Sequence, residues 1–120
     1  MTDGPVGGDR GSSDRAWLEE GEEVLIELVG DGARLLATSW RVVIVRDGSG
    51  FRPRSGVRSW PFDQIDRVSL VPPKRNQARI VIRTSDPMSE TVSMFFEARH
   101  WTDAERMATE IRRRLPNWPW

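Results

Sequence analysis

From Glu22 onward, apolar and polar residues alternate: Val24, Ile26 and Leu28 fall on one side, Glu23 and Glu27 on the other. A period of two marks a half-buried strand. Gly30-Asp31-Gly32 follows between two apolar runs, a tight-turn signal that predicts a hairpin. The second strand is predicted over Ala33–Thr38 and the third over Trp40–Arg46. Val42, Val43, Ile44 and Val45 make the third strand apolar on both faces, as expected of a strand with neighbours on either side. Asp47-Gly48-Ser49-Gly50 is the next turn. Pro53 argues against a central strand over Phe51–Ser55.

Further strands are predicted over Val57–Phe62, which Pro61 ends or bulges, and over Ile65–Val71, stopped by Pro72-Pro73. Pro72 to Gln77 reads as a basic loop. Ala78–Thr84 sets Ile80 and Ile82 opposite Arg79 and Arg83, and Asp86-Pro87 turns the chain. Thr91–Phe96 sets Val92, Met94 and Phe96 opposite Thr91 and Ser93. The period then changes. Ala104, Met107, Ala108, Ile111 and Leu115 recur at three- and four-residue steps, which predicts an amphipathic helix. Thr102 or Asp103 is positioned to cap it, Arg112, Arg113 and Arg114 suit its C-terminal dipole, and Pro116 stops it. Burying that stripe contributes on the order of 5–8 kcal/mol, against a total margin of roughly 5–15 kcal/mol for a domain. The helix is therefore expected to close one opening of a barrel made by the strands.

Composition narrows the class. A chain of 120 residues holds one core. Residues 1–15, rich in Gly, Ser and Asp, are expected to be a disordered tail, 16–116 the domain, and 117–120 a Trp-Pro-Trp tail. There are 18 Lys+Arg and 18 Asp+Glu, so the basic excess typical of nucleic-acid binders is missing. With no cysteine, thiolate catalysis, disulfides and cysteine metal sites are excluded. No signal-peptide pattern and no run long enough to span a membrane is seen, and a cytoplasmic location is expected.

Seven strands and a closing helix are the plan of the pleckstrin-homology (PH) superfold, and two local stretches resemble the bacterial PH-like family. In Leu35-Leu36-Ala37-Thr38-Ser39-Trp40-Arg41-Val42-Val43-Ile44-Val45, a Thr turn precedes an Arg and an aliphatic run. In Trp60-Pro61-Phe62-Asp63-Gln64-Ile65-Asp66-Arg67-Val68, a Pro-aromatic pair leads into an Ile and Val strand. The resemblance spans Gly21 to Leu115 and is shared with GRAM-type domains. It implies a mainly β fold: a PH-like, seven-stranded antiparallel barrel or sandwich capped by one C-terminal α-helix. It also implies a non-enzymatic module that binds proteins, lipids or copies of itself.

No constellation for catalysis stands out. His100 is the one histidine; Ser93 and Asp103 are its conceivable triad partners, but a junction residue between strand and helix is the simpler reading. Asp63, Asp66 and Glu90 read as solvated acids, and no metal or other cofactor is expected. Phosphoinositide-binding PH domains carry a basic cluster at the first turn; Val29-Gly30-Asp31-Gly32 has none. Two other basic groups, Arg52/Arg54/Arg58 and Lys74/Arg75/Arg79, are candidate anion-binding residues for an anionic membrane headgroup or an acidic partner, or else solvated loops balanced by neighbouring acids. Six tryptophans accompany no tyrosine. Trp40 and Trp60 are expected in the core or at its rim, and Trp101 at the helix start. Trp118 and Trp120, beyond the helix stop, are the candidate protein-binding residues, which fold back on the barrel, anchor a partner or second subunit, or stand exposed.

Overall fold

The computed structural model describes residues 16–46, 56–85, 87 and 91–116. The strands are β1 (Val24–Gly30), β2 (Ala33–Thr38), β3 (Arg41–Arg46), β4 (Gly56–Pro61), β5 (Ile65–Lys74), β6 (Gln77–Thr84) and β7 (Thr91–Glu97), followed by helix α1 (Trp101–Arg114). They form two antiparallel sheets, β1-β2-β3-β4 and β5-β6-β7. The architecture is an open sandwich, not the closed barrel considered above. The sheets meet at one corner, where the Asp31 N–H donates to Phe95 O at 2.8 Å.

The core lies between the sheets. Leu28, Leu35, Val42, Ile44 and Trp60 face it from the first sheet and Val68, Ile80, Ile82 and Phe96 from the second, all buried. Leu36 and Val43, paired across β2 and β3 on the opposite face, are buried as well. That is the two-faced burial the sequence of β3 anticipates. Helix α1 packs on β1, β5 and β2 through Ala104, Met107, Ala108 and Ile111. It therefore closes the gap between the sheets. The Arg112 guanidinium donates from Nη2 to Val68 O at 3.0 Å, tying the helix to β5.

Three expectations need correcting. Pro72 and Pro73 do not stop β5, which runs on to Lys74 through a register shift between Val71 and Lys74. An edge strand tolerates proline because one side of its backbone needs no donor. The expected basic loop is thus a hairpin: Lys74 pairs with Gln77, and Arg75 (φ 53°) and Asn76 (φ 69°) form its two-residue turn. Positive φ at both centres matches the strand twist. Neither Thr102 nor Asp103 caps α1. The helix begins at Trp101, directly after a 3₁₀ turn over Ala98–His100. The indole of Trp101, at the first helical position, stacks on Phe96 with centroids 6.3 Å apart. Finally, Trp60 is core as expected, but Trp40 stands in the β2–β3 turn and is 47% exposed.

Candidate functional site

The turn that carries Trp40 is held by a polar clasp. Thr38 Oγ1 accepts from the backbone N–H groups of Trp40 and Arg41, both at 3.0 Å, which reverses the chain between β2 and β3. Its hydroxyl donates to Glu22 Oε2 at 2.6 Å. Arg41 grips the same carboxylate with both arms, Nε to Oε2 at 2.8 Å and Nη2 to Oε1 at 2.9 Å. Its other protons reach Trp17 O at 2.8 Å and Ser59 Oγ at 3.1 Å, and its carbon lies 5.5 Å from the Trp17 ring centroid. The Glu22 side chain is fully buried. Arg41's hydrogen bonds, above all, hold its carboxyl down from 4.5 to about 2, against burial that pushes it up; bonds from Thr38 and Glu19 add to the lowering. The same contact raises Arg41. A perturbed carboxylate often marks a catalytic site. Here both oxygens and the guanidinium fork are engaged by protein groups, so the clasp is structural.

The surface with free chemistry lies on the outer face of β5-β6-β7. Register places Val71, Arg79 and Phe95 in one row across the three strands, and Arg67, Arg83 and Thr91 in another. Phe95 is 46% exposed, and the Arg79 guanidinium carbon lies 5.7 Å from its ring centroid. Beside them opens a hollow of about 570 Å³, lined by Val71, Pro72, Lys74, Arg75, Ala78 and Phe95 together with Arg79 and Gln77. Arg67 and Arg83 stand directly opposite one another, an arrangement that costs stability unless an anion relieves it. Among the described residues, none of Arg67, Lys74, Arg75, Arg79 and Arg83 is in an ion pair.

The structure thus gathers the candidates Lys74, Arg75 and Arg79 around one hollow. It adds Arg67, Arg83, Val71 and Phe95, which sequence reading missed. Two-residue spacing on predicted strands offered a signal for Arg79 and Arg83, but the pairing of Arg67 with Arg83 depends on register. Arg58 belongs to the other sheet, on β4, with its guanidinium carbon 5.3 Å from the Trp60 ring centroid. Arg52, Arg54, Trp118 and Trp120 lie outside the described residues. At the first turn, the Asp31 carboxylate accepts from Gln77 Nε2 at 2.9 Å, so an acid stands there and no basic cluster. His100 faces Asp103 at 3.8 Å at the strand–helix junction. Ser93 points out from mid-β7 opposite Val81, and the extended stretch from it to Glu97 covers ~13 Å, so no triad forms. Among the described residues no cluster could hold a metal ion; Glu90 lies outside them. A second groove of about 520 Å³ runs between β1 and α1, lined by Leu25 and Ile26 and by Thr102, Glu105, Arg106 and Arg113. Among the described residues no helix is long and apolar enough to cross a membrane.

No protein-family model matches the chain, and no curated protein matches it. Solved structures do. The pleckstrin-homology domain from Shewanella amazonensis superposes with a TM-score of 0.61 at 18% identity, covering 88% of this chain and 95% of that one. A DUF1696 family protein with a pleckstrin-homology domain from Shewanella loihica gives 0.62 at 10% identity, covering 89% and 98%. A PH-domain-containing bacterial protein from Exiguobacterium sibiricum gives 0.65 at 10% identity, covering 89% of this chain and 58% of that one. The fold is that of a bacterial PH-like domain.

Proposed function

We propose that this protein is a non-enzymatic, cytoplasmic binding module whose outer β5-β6-β7 face receives a protein partner. The observation that supports it most is the hollow beside Phe95, ringed by Lys74, Arg75 and Arg79 without carboxylate partners among the described residues. Cations without partners select an acidic partner. A half-exposed phenyl ring and an apolar hollow add an anchoring pocket, the kind of place where an aromatic side chain contributes most. Such a surface suits a short acidic segment with one bulky apolar residue. The Glu22–Arg41 clasp, with both carboxylate oxygens and the guanidinium fork engaged, suits a structural role for that perturbed carboxylate.

A second reading rests on the hairpin tip. Lys74 and Arg75 project there beside Pro72 and Pro73, all exposed, as a group that meets an anionic membrane surface would. One set of measurements separates the two. Fluorescence anisotropy of an acidic peptide with a central tryptophan should rise with added protein and stay flat with the Lys74→Glu/Arg79→Glu double variant. Flotation with phosphatidylglycerol vesicles should leave the protein behind. Flotation without peptide binding supports the membrane reading. Binding to neither overturns both.

A further inference from the structure

The chain is neutral overall, but its charges are segregated. No Lys or Arg occurs from Ala16 to Ala33, a stretch that holds Glu19, Glu20, Glu22, Glu23, Glu27 and Asp31. Asp31 stands at the edge of the β5-β6-β7 face, where its carboxylate accepts from Gln77, whereas Glu20 and Glu23 lie at the other end of β1. At the acidic end stands Trp40, its indole 47% exposed. Gly21 sits beneath the ring: a Cβ there would lie 3.8 Å from the indole. Glu23 is bonded to the neighbouring Ser39, N–H to Oγ at 3.1 Å, with the Ser39 N–H returning to Glu23 O at 2.8 Å. Glu20 and Glu23, one on each side of Gly21, are exposed and have no ion-pair partner among the described residues. The protein thus carries an aromatic knob flanked by carboxylates, and also an apolar hollow flanked by cations.

The two cannot meet within one molecule. The hollow lies by Phe95, next to the β1–β2 turn through the Asp31 N–H, whereas Trp40 stands at the far end of β2. Six extended residues separate the ends, about 20 Å, well beyond the ~8 Å screening length at physiological salt. We propose that the occupant of the hollow is Trp40 of a second copy of this chain, docked knob into hollow with Glu20 and Glu23 against Lys74, Arg75 and Arg79. This names the partner of the surface assigned above and so rests on that reading. Charge complementarity sets the orientation, and the indole gains both the apolar hollow and stacking from Arg79. Because knob and hollow are different patches, the contact is head-to-tail: each copy offers both, and association extends or closes into a ring.

The test is multi-angle light scattering on the full 120-residue chain across a concentration series. Wild-type mass should rise with concentration and fall back as NaCl goes from ~50 to ~500 mM. Trp40→Ser removes the knob and Lys74→Glu/Arg79→Glu the hollow's cations; each alone should weaken association about tenfold or more. Mixing the two should restore a one-to-one complex that grows no further, since the intact hollow of one meets the intact knob of the other. Trp40 is exposed and its turn is held by backbone donors, so circular dichroism melts of Trp40→Ser should match wild type. A monomeric wild type, or a mixture that stays monomeric, overturns the proposal. So does association that survives Trp40→Ser but disappears on truncation after Leu115. A monomeric wild type that still binds the acidic peptide through Arg79 overturns this inference alone and leaves the binding-module reading standing.

Discussion

Replacing Glu22 with Gln keeps the volume and removes the charge that Arg41 holds. Two routes size the effect. The carboxyl drops from 4.5 to about 2 on folding; at ~1.4 kcal/mol per tenfold change in proton affinity this amounts to about 3 kcal/mol. Independently, breaking one side of a buried ion pair costs roughly 3–5 kcal/mol, because the remaining charge is left uncompensated. The two routes agree. Urea unfolding followed by tryptophan fluorescence should therefore show Glu22→Gln about 3 kcal/mol less stable near neutral pH, with a melting temperature lower by roughly 10 °C. The pH dependence carries the sign. A lowered carboxyl contributes stability that is fully present above its unfolded value of 4.5 and is lost as pH falls through about 2. The gap between wild type and Glu22→Gln should be constant above pH 4.5 and close toward pH 2. An apolar pair, Glu22→Leu with Arg41→Met, should recover much of the loss, since it removes both charges. A gap under about 1 kcal/mol near neutral pH, or one that does not narrow on acidification, would refute the reasoning.

Gly30→Ala should destabilise by about 1–3 kcal/mol in the same assay, because a Cβ there would lie 2.5–2.6 Å from Met94 Sδ, Cε and Cγ. At the β5–β6 turn, Asn76→Val should cost about 1–2 kcal/mol through its φ of 69°, while Asn76→Gly should be neutral or better; equal stability of the two would count against the two-residue turn. Trp60→Ala should cost roughly 3–5 kcal/mol, as its indole is 2% exposed in the core, and Trp40→Ala under about 1 kcal/mol; similar losses would contradict the burial contrast.

Much of the scaffold was legible along the chain. Alternation located β1, β6 and β7 because one face of each must meet the core, and the switch of period at Ala104 located the helix for the same reason. The two-faced apolar run of β3 announced a strand between neighbours. Misreadings arose where local chemistry has more than one solution. A proline pair is compatible with an edge strand as well as with a stop. An indole after a turn is compatible with either side of the surface, and Trp40 took the exposed one.

Partnership across the fold was invisible in the chain. Glu22 and Arg41 are nineteen residues apart, and nothing in either neighbourhood specifies that the carboxylate is buried and gripped by both arms of the guanidinium. Arg67 and Arg83 look like ordinary solvated positions on two strands until register sets them opposite each other. Neutral net charge, a property of the sequence, excluded a uniformly basic protein. The acid-only run from Ala16 to Ala33 can be read off the chain, whereas only the tertiary structure shows that Arg67, Lys74, Arg75, Arg79 and Arg83 share one sheet. Periodicity is a local demand that each segment satisfies alone, so sequence by itself determined the elements. Pairing, register and the meeting of sheets act between distant residues, so which side chains share a surface was decided by the fold.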